Sequence, residues 1–243
     1  MLALYISHLH SALEFTVRFR DCVPRITRKK MSASQTIKPE NRIYVFDFDG
    51  TITTKDTFAL FLKYYAGTGR WLVNILRLLP NFAAYKSGLI NRHAVKKAVV
   101  NRFFANHGFS DIETRAEQFA KDIIPALVRP GALKNIREKL KNPEIGPSSL
   151  YICSASIGPY LRYWARSVGI HEENVMATEL EFVNDRATGK LEGYNVWGPN
   201  KVRRINDQFA PSPVRIAEAY GDTRGDREML HAAEASFHKP FRL

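Results

Sequence analysis

Two aspartates, Asp47 and Asp49, close the apolar run Ile43-Tyr44-Val45-Phe46, with Gly50 and Thr51 directly behind them. In an extended backbone, residues two apart point to the same side. The two carboxylates are therefore expected to converge, and like charges that close share either a proton or a cation. Gly50 lets the chain turn sharply away. Three further groups follow other apolar runs or open a helix: Ser154 after Leu150–Cys153, Lys201 in Gly198-Pro199-Asn200-Lys201, and the pair Asp222 and Asp226 after Val214–Tyr220. Carboxylates facing a phosphate dianion at about 4 Å repel it by about 4 kcal/mol per unit pair at an effective dielectric near 20. A Mg²⁺ ion and a lysine would cancel that repulsion, so the expected chemistry is Mg²⁺-assisted phosphoryl transfer.

These groups can meet only if the runs that carry them are parallel strands of one sheet, whose carboxyl ends share an edge where α/β folds place ligands. The uninterrupted apolar runs fit strands buried on both faces. From Asp56 to about Pro130 the apolar period changes to helical, with breaks at Gly67–Gly69, Gly88 and Asn106–Gly108. Ser110 followed by Glu113 predicts a capping box opening the fourth helix of this block. The segment Trp71–Tyr85 is apolar and aromatic with Arg77 as its one charge. It predicts a helical hairpin packing on itself, or else a surface that meets acyl chains. After Gly131 strands and helices alternate: a helix near Ala132–Asn142, a strand ending at Ser154, and a helix ending near Gly169. Next come Val175–Thr178 and a hairpin of Glu179–Val183 with Lys190–Tyr194 around Asn184–Gly189. The helix Lys201–Phe209, strand Val214–Tyr220, helix Arg227–Ala235 and strand Ser236–His238 complete the series. This rhythm predicts a doubly wound parallel sheet.

Taken in order, D-F-D-G-T from Asp47, C-S-A-S from Cys153, the lysine of G-P-N-K-V-R-R-I and G-D-T-R-G-D-R-E-M-L from Gly221 resemble the four motifs of the haloacid dehalogenase superfamily. The likeness spans roughly Arg42 to Phe241. The helical block after the first strand resembles subfamily IB, which includes phosphoserine phosphatase and phosphatidylglycerophosphatase C. The resemblance implies an α/β, Rossmann-type core at 41–55 and 131–243, with an inserted helical cap at 56–130. It implies Asp47 as nucleophile, Asp49 as acid/base, and Ser154 and Lys201 as phosphate-facing catalytic groups. Mg²⁺ would be held by the Asp47 carboxylate, the Asp49 carbonyl and Asp222, with Asp226 holding a metal water or orienting Lys201. Lys190 and Arg203 lie near enough in sequence to compete with Lys201. Asp56 stands where phosphoserine phosphatases keep a substrate-binding glutamate, and Ala155-Ser156 replace their two glycines; both departures argue against phosphoserine as substrate.

The composition, 45% hydrophobic and 25% charged, is that of a globular protein. The net charge of +12 suits anionic small molecules or lipid headgroups, while no nucleic-acid motif accompanies it. Cys22 and Cys153 match no metal spacing and fit a reduced, cytoplasmic setting. Residues 1–40 are expected to be a flexible extension, with Met31 as the true initiator or the first thirty residues as a targeting segment. The expected activity is hydrolysis of a small phosphomonoester through an aspartyl-phosphate. Alternatives are a lipid-phosphate phosphatase with peripheral membrane contact, a phosphotransferase to an acceptor hydroxyl, or a non-catalytic scaffold.

Overall fold

The computed structural model describes residues 42–242. The expected extension at residues 1–40 lies outside them. Six strands form one sheet: β1 (Arg42–Phe46), β2 (Leu150–Ile157), β3 (Val175–Val183), β4 (Arg186–Glu192), β5 (Arg215–Gly221) and β6 (Ala233–His238), in the order β4-β3-β2-β1-β5-β6. All neighbouring pairs run parallel except β3 with β4. Ile43, Val45 and Phe46 of β1 are fully enclosed between β2 and β5, as an uninterrupted apolar run requires.

Between β1 and β2 come α1 (Thr57–Ala66), α2 (Thr68–Lys86), α3 (Arg92–Phe104), α4 (Phe109–Asp122) and α5 (Pro130–Lys141). Asp56 caps α1 through a bond from the Ala59 amide at 3.0 Å, and Asn91 caps α3 through the Ala94 amide at 2.9 Å. The chain leaving the sheet at Thr53 and returning at Val128 pairs with itself antiparallel, closed by Thr54 N to Leu127 O and Arg129 N to Ile52 O at 2.8 Å each. The core continues from the sheet into these helices through a cluster of rings: Phe61 packs on Phe104, Phe119 and Tyr160 with centroids 5.0–6.2 Å apart. After β2 follow α6 (Gly158–Val168), α7 (Pro199–Phe209) and α8 (Arg227–Ala232).

Several local expectations are corrected. The capping box at Ser110 does not form, because the helix starts at Phe109 with Gly108 as its cap. The Phe109 amide bonds the Asp185 carbonyl at 2.8 Å and Gly108 bridges Arg186, so the hairpin, not a serine, sets that helix start. Trp71–Tyr85 is no hairpin but part of one continuous helix, α2, which takes Pro80 within it. The strand expected to end at Ser154 runs on to Ile157, and β3 is unbroken across Thr178–Glu179. The β3–β4 turn is shorter than predicted, since Asn184 and Asp185 adopt φ of 50° and 58°, the left-handed pair of a two-residue hairpin. At the C-terminal end the helix stops at Ala232, because residues from Ala233 pair with β5.

Candidate active site

β1 and β5 end directly before Asp47 and Asp222, β2 carries Ser154 within its length, and the first turn of α7 carries Lys201. Lys201 is 1% exposed. Its ammonium spends its three donors on Asp47 Oδ1 at 2.6 Å, the Cys153 carbonyl at 2.7 Å and Asp226 Oδ1 at 2.7 Å. Burial alone would lower its pKa, but Asp226 and Asp47 outweigh burial and keep it charged. The competitors fall away: Arg203 pairs with Asp207 and covers Tyr194 on the surface, and Lys190 is exposed.

Asp226 is fully engaged. Besides Lys201 it accepts from the Asp222 amide at 3.1 Å, the Thr223 amide at 2.9 Å and the Thr223 hydroxyl at 3.0 Å. Burial would raise its carboxyl, yet Lys201 and these amides hold it below the usual range. Asp47 and Asp222 are less well served. The Thr51 hydroxyl is shared between them, at 3.1 Å from Asp47 Oδ2 and 3.4 Å from Asp222 Oδ1, and Arg242 reaches Asp222 Oδ2 at 2.7 Å. Burial pushes both carboxyls above their ordinary values, with Lys201 and Arg242 respectively opposing it. The pocket is therefore short of positive charge.

One oxygen from each of Asp47, Asp222 and Asp226 lies within 4.8 Å of the others. Hard, anionic oxygens gathered this way suit Mg²⁺. Gly50, at φ 82°, keeps the space open, because a Cβ there would overlap the Asp222 carboxylate. The donor set, the charge deficit and this cradle together fit a small divalent cation.

Asp47 and Asp49 take different hydrogen-bond partners, while the charge of Asp49 still raises the Asp47 carboxyl. β1 ends at Phe46, and residues 48–52 form a tight turn, so the alternation rule no longer applies. Asp49 instead accepts from the Thr57 amide and hydroxyl at 2.6 Å each and from the Ser156 hydroxyl. Burial and then Asp56 raise its carboxyl to about 6, against the pull of those hydrogen bonds. Ser154 is buried, and its hydroxyl accepts from the Ser156 amide at 3.1 Å. Asp56 is exposed and serves as the α1 cap. Cys153 is buried in β2, which pushes its thiol up to about 12.

Four contributors were missed from the sequence: Ser156, Thr57, Arg242 and Lys96. In the sequence Ser156 stands out only as a replacement for a glycine. Lys96, on α3, lies 3.1 Å over the Phe58 ring; burial lowers it to about 7 while Asp56 and Asp49 pull the other way. Arg92, one helical turn before it, covers Trp197 at 5.1 Å. A basic pair at that spacing reads as a solvated face, so no local signal marks it.

Known proteins resemble this chain in sequence and in fold. The chain is 36% identical over 220 residues to Protein CicA of Caulobacter vibrioides, covering 88% of this chain and 95% of that protein. It resembles the crystal structure of a Bordetella pertussis protein of unknown function, at 21% identity and TM-score 0.68 over 81% of this chain and 88% of that one. It also shares its fold with a substrate-bound phosphoserine phosphatase, at 17% identity and TM-score 0.55 over 82% and 85%. Residues 44–231 match the family described as haloacid dehalogenase-like hydrolase, and the chain belongs to that family.

Proposed function

We propose that this protein is a Mg²⁺-dependent phosphatase that hydrolyses a phosphomonoester through phosphorylated Asp47. The observation that carries this reading is the buried Lys201 ammonium bridging Asp47 and Asp226 beside the Asp222 carboxylate. Asp47, Asp222 and the Asp49 carbonyl would hold Mg²⁺, which when bound would supply positive charge against the phosphate oxygens.

Asp47 is oriented for attack: Lys201 fixes Oδ1 while Oδ2 meets, among the described residues, only the weaker Thr51 hydroxyl. Oδ2 forms a bond to phosphorus as the bond to the leaving oxygen breaks. Asp49 gives its proton to that oxygen, then takes one from the water that attacks phospho-Asp47 and frees phosphate. A carboxyl at about 6 can serve in both directions near neutral pH. To meet the leaving oxygen Asp49 would give up its bonds from Ser156 and Thr57, which fix its carboxylate in the free enzyme. Ser154, whose oxygen already accepts a bond, has its proton for a phosphate oxygen.

The test is phosphate release from sugar, amino-acid, nucleotide and lipid phosphomonoesters, with Mg²⁺ and with EDTA. Release should need Mg²⁺ and vanish in Asp47→Asn. Turnover by Asp47→Asn at the wild-type rate would overturn the assignment. Added glycerol separates hydrolysis from transfer, because a transferase would convert it to glycerol phosphate.

A further inference from the structure

The helices between β1 and β2 carry a feature that hydrolysis does not use. Residues 57–110 contain eight Lys/Arg and no Asp or Glu, two thirds of the chain's net charge of +12. Within this stretch α2 turns Ile75 and Leu78 inward and is held to α3 by Arg102 Nε donating to Asn74 Oδ1 at 3.0 Å. Its opposite face is bare: Leu72 is 43% exposed, Val73 45%, Leu76 52% and Leu79 50%. At 100° per residue, Leu72, Leu76, Leu79, Val73, Pro80 and Ala83 fall within one arc of about 120°. On the same projection Arg70 and Arg77 border this arc on one side and Lys86 on the other.

We propose that α2 docks this face on an anionic membrane surface, with the leucines among the acyl chains and the basic border against the headgroups. An apolar arc flanked by cations, in a stretch with no acid, is the pattern of a helix lying in the interface plane. Each Lys or Arg held near an anionic surface adds attraction that an uncharged partner could not supply. The helix lies on the bilayer and does not cross it: among the described residues no helix is long and apolar enough to span one. Nucleic acid would use the charge but not the leucines, since single strands are held by aromatic stacking. The proposal does not rest on the phosphatase reading.

Vesicle sedimentation of the full chain tests it, with phosphatidylcholine alone or mixed with phosphatidylglycerol. Wild type should bind the mixed vesicles at least about tenfold more tightly than the neutral ones. Leu72→Gln/Leu76→Gln/Leu79→Gln should weaken that binding by about tenfold or more, and Arg77→Glu/Lys86→Glu by about fivefold for each reversal. Residues 1–41 are present in every protein, so the comparison isolates α2. Circular dichroism checks folding, and p-nitrophenyl phosphate turnover should be unchanged in the leucine variant. A protein inactive on every phosphoester yet bound to vesicles would remove the phosphatase reading alone. Equal vesicle binding by wild type and both variants overturns the docking proposal. So does failure of wild type to bind, or a leucine-dependent dimer seen by light scattering in its place.

Discussion

Replacing Lys201 with methionine keeps the length of the side chain and removes its charge. Three hydrogen bonds of 2.6–2.7 Å are lost at a position 1% exposed, and Asp47 and Asp226 are left facing each other without a counter-ion. Removing one partner of a buried ion pair costs about 3–5 kcal/mol, because the remaining charge stays buried. At about 2–4 °C per kcal/mol for a fold of this size, the melting temperature should fall by about 6–20 °C. The pH dependence gives a sharper test. In wild type Asp226 is held below its usual pKa, so its contribution is present above the unfolded value and is lost as pH falls through the folded one. Without Lys201 the unpaired carboxyls shift upward, bind protons more readily in the folded state, and gain stability as pH falls. The deficit of Lys201→Met should therefore be largest at neutral pH and shrink on acidification. Added Mg²⁺ should raise the mutant's melting temperature more than that of wild type. Phosphate release should drop by about 10²–10³. A mutant that melts with wild type at pH 7, or a deficit constant with pH, would refute the reading of Lys201 as the charge that holds this cluster together.

Gly50→Ala should lose Mg²⁺-induced thermal stabilisation and destabilise the apoprotein, since the added methyl meets the Asp222 carboxylate at a positive φ; calorimetry with and without Mg²⁺ decides it. Lys96 has a folded pKa of about 7, below its unfolded value of 10.5, so the folded chain binds fewer protons between the two and stability rises with pH there. Lys96→Met should accordingly melt higher than wild type near pH 7, with the gap closing toward pH 10; a pH-independent gap would count against it. Cys153, buried with its thiol at about 12, should resist iodoacetamide at pH 8 in the folded protein and react on unfolding, as read by peptide mass mapping. Asp56→Ala should cost about 1 kcal/mol through loss of the α1 cap, measured by urea denaturation.

Much of the site could be read from local pattern, because a parallel sheet obliges the carboxyl ends of its strands to share an edge. The run Ile43–Phe46 announced a central strand, and Asp47 and Asp222 followed from where two such runs stop. What pattern could not decide was where each strand stops and what lies across from it. Asp49 finds partners other than those of Asp47 because β1 ends just before Asp47 and the chain turns at once. Ser156 reaches Asp49 because β2 continues past Ser154, a length set by pairing with β3. Lys201 prevailed over Lys190 and Arg203 only because packing leaves one ammonium enclosed by two carboxylates and a carbonyl. Local alternation and helical period are properties of neighbours in sequence. Burial, which shifts the acids and brings Lys96 close to Phe58 and the charges of Asp49 and Asp56, depends on residues tens to hundreds of positions away and arises only when the chain closes on itself.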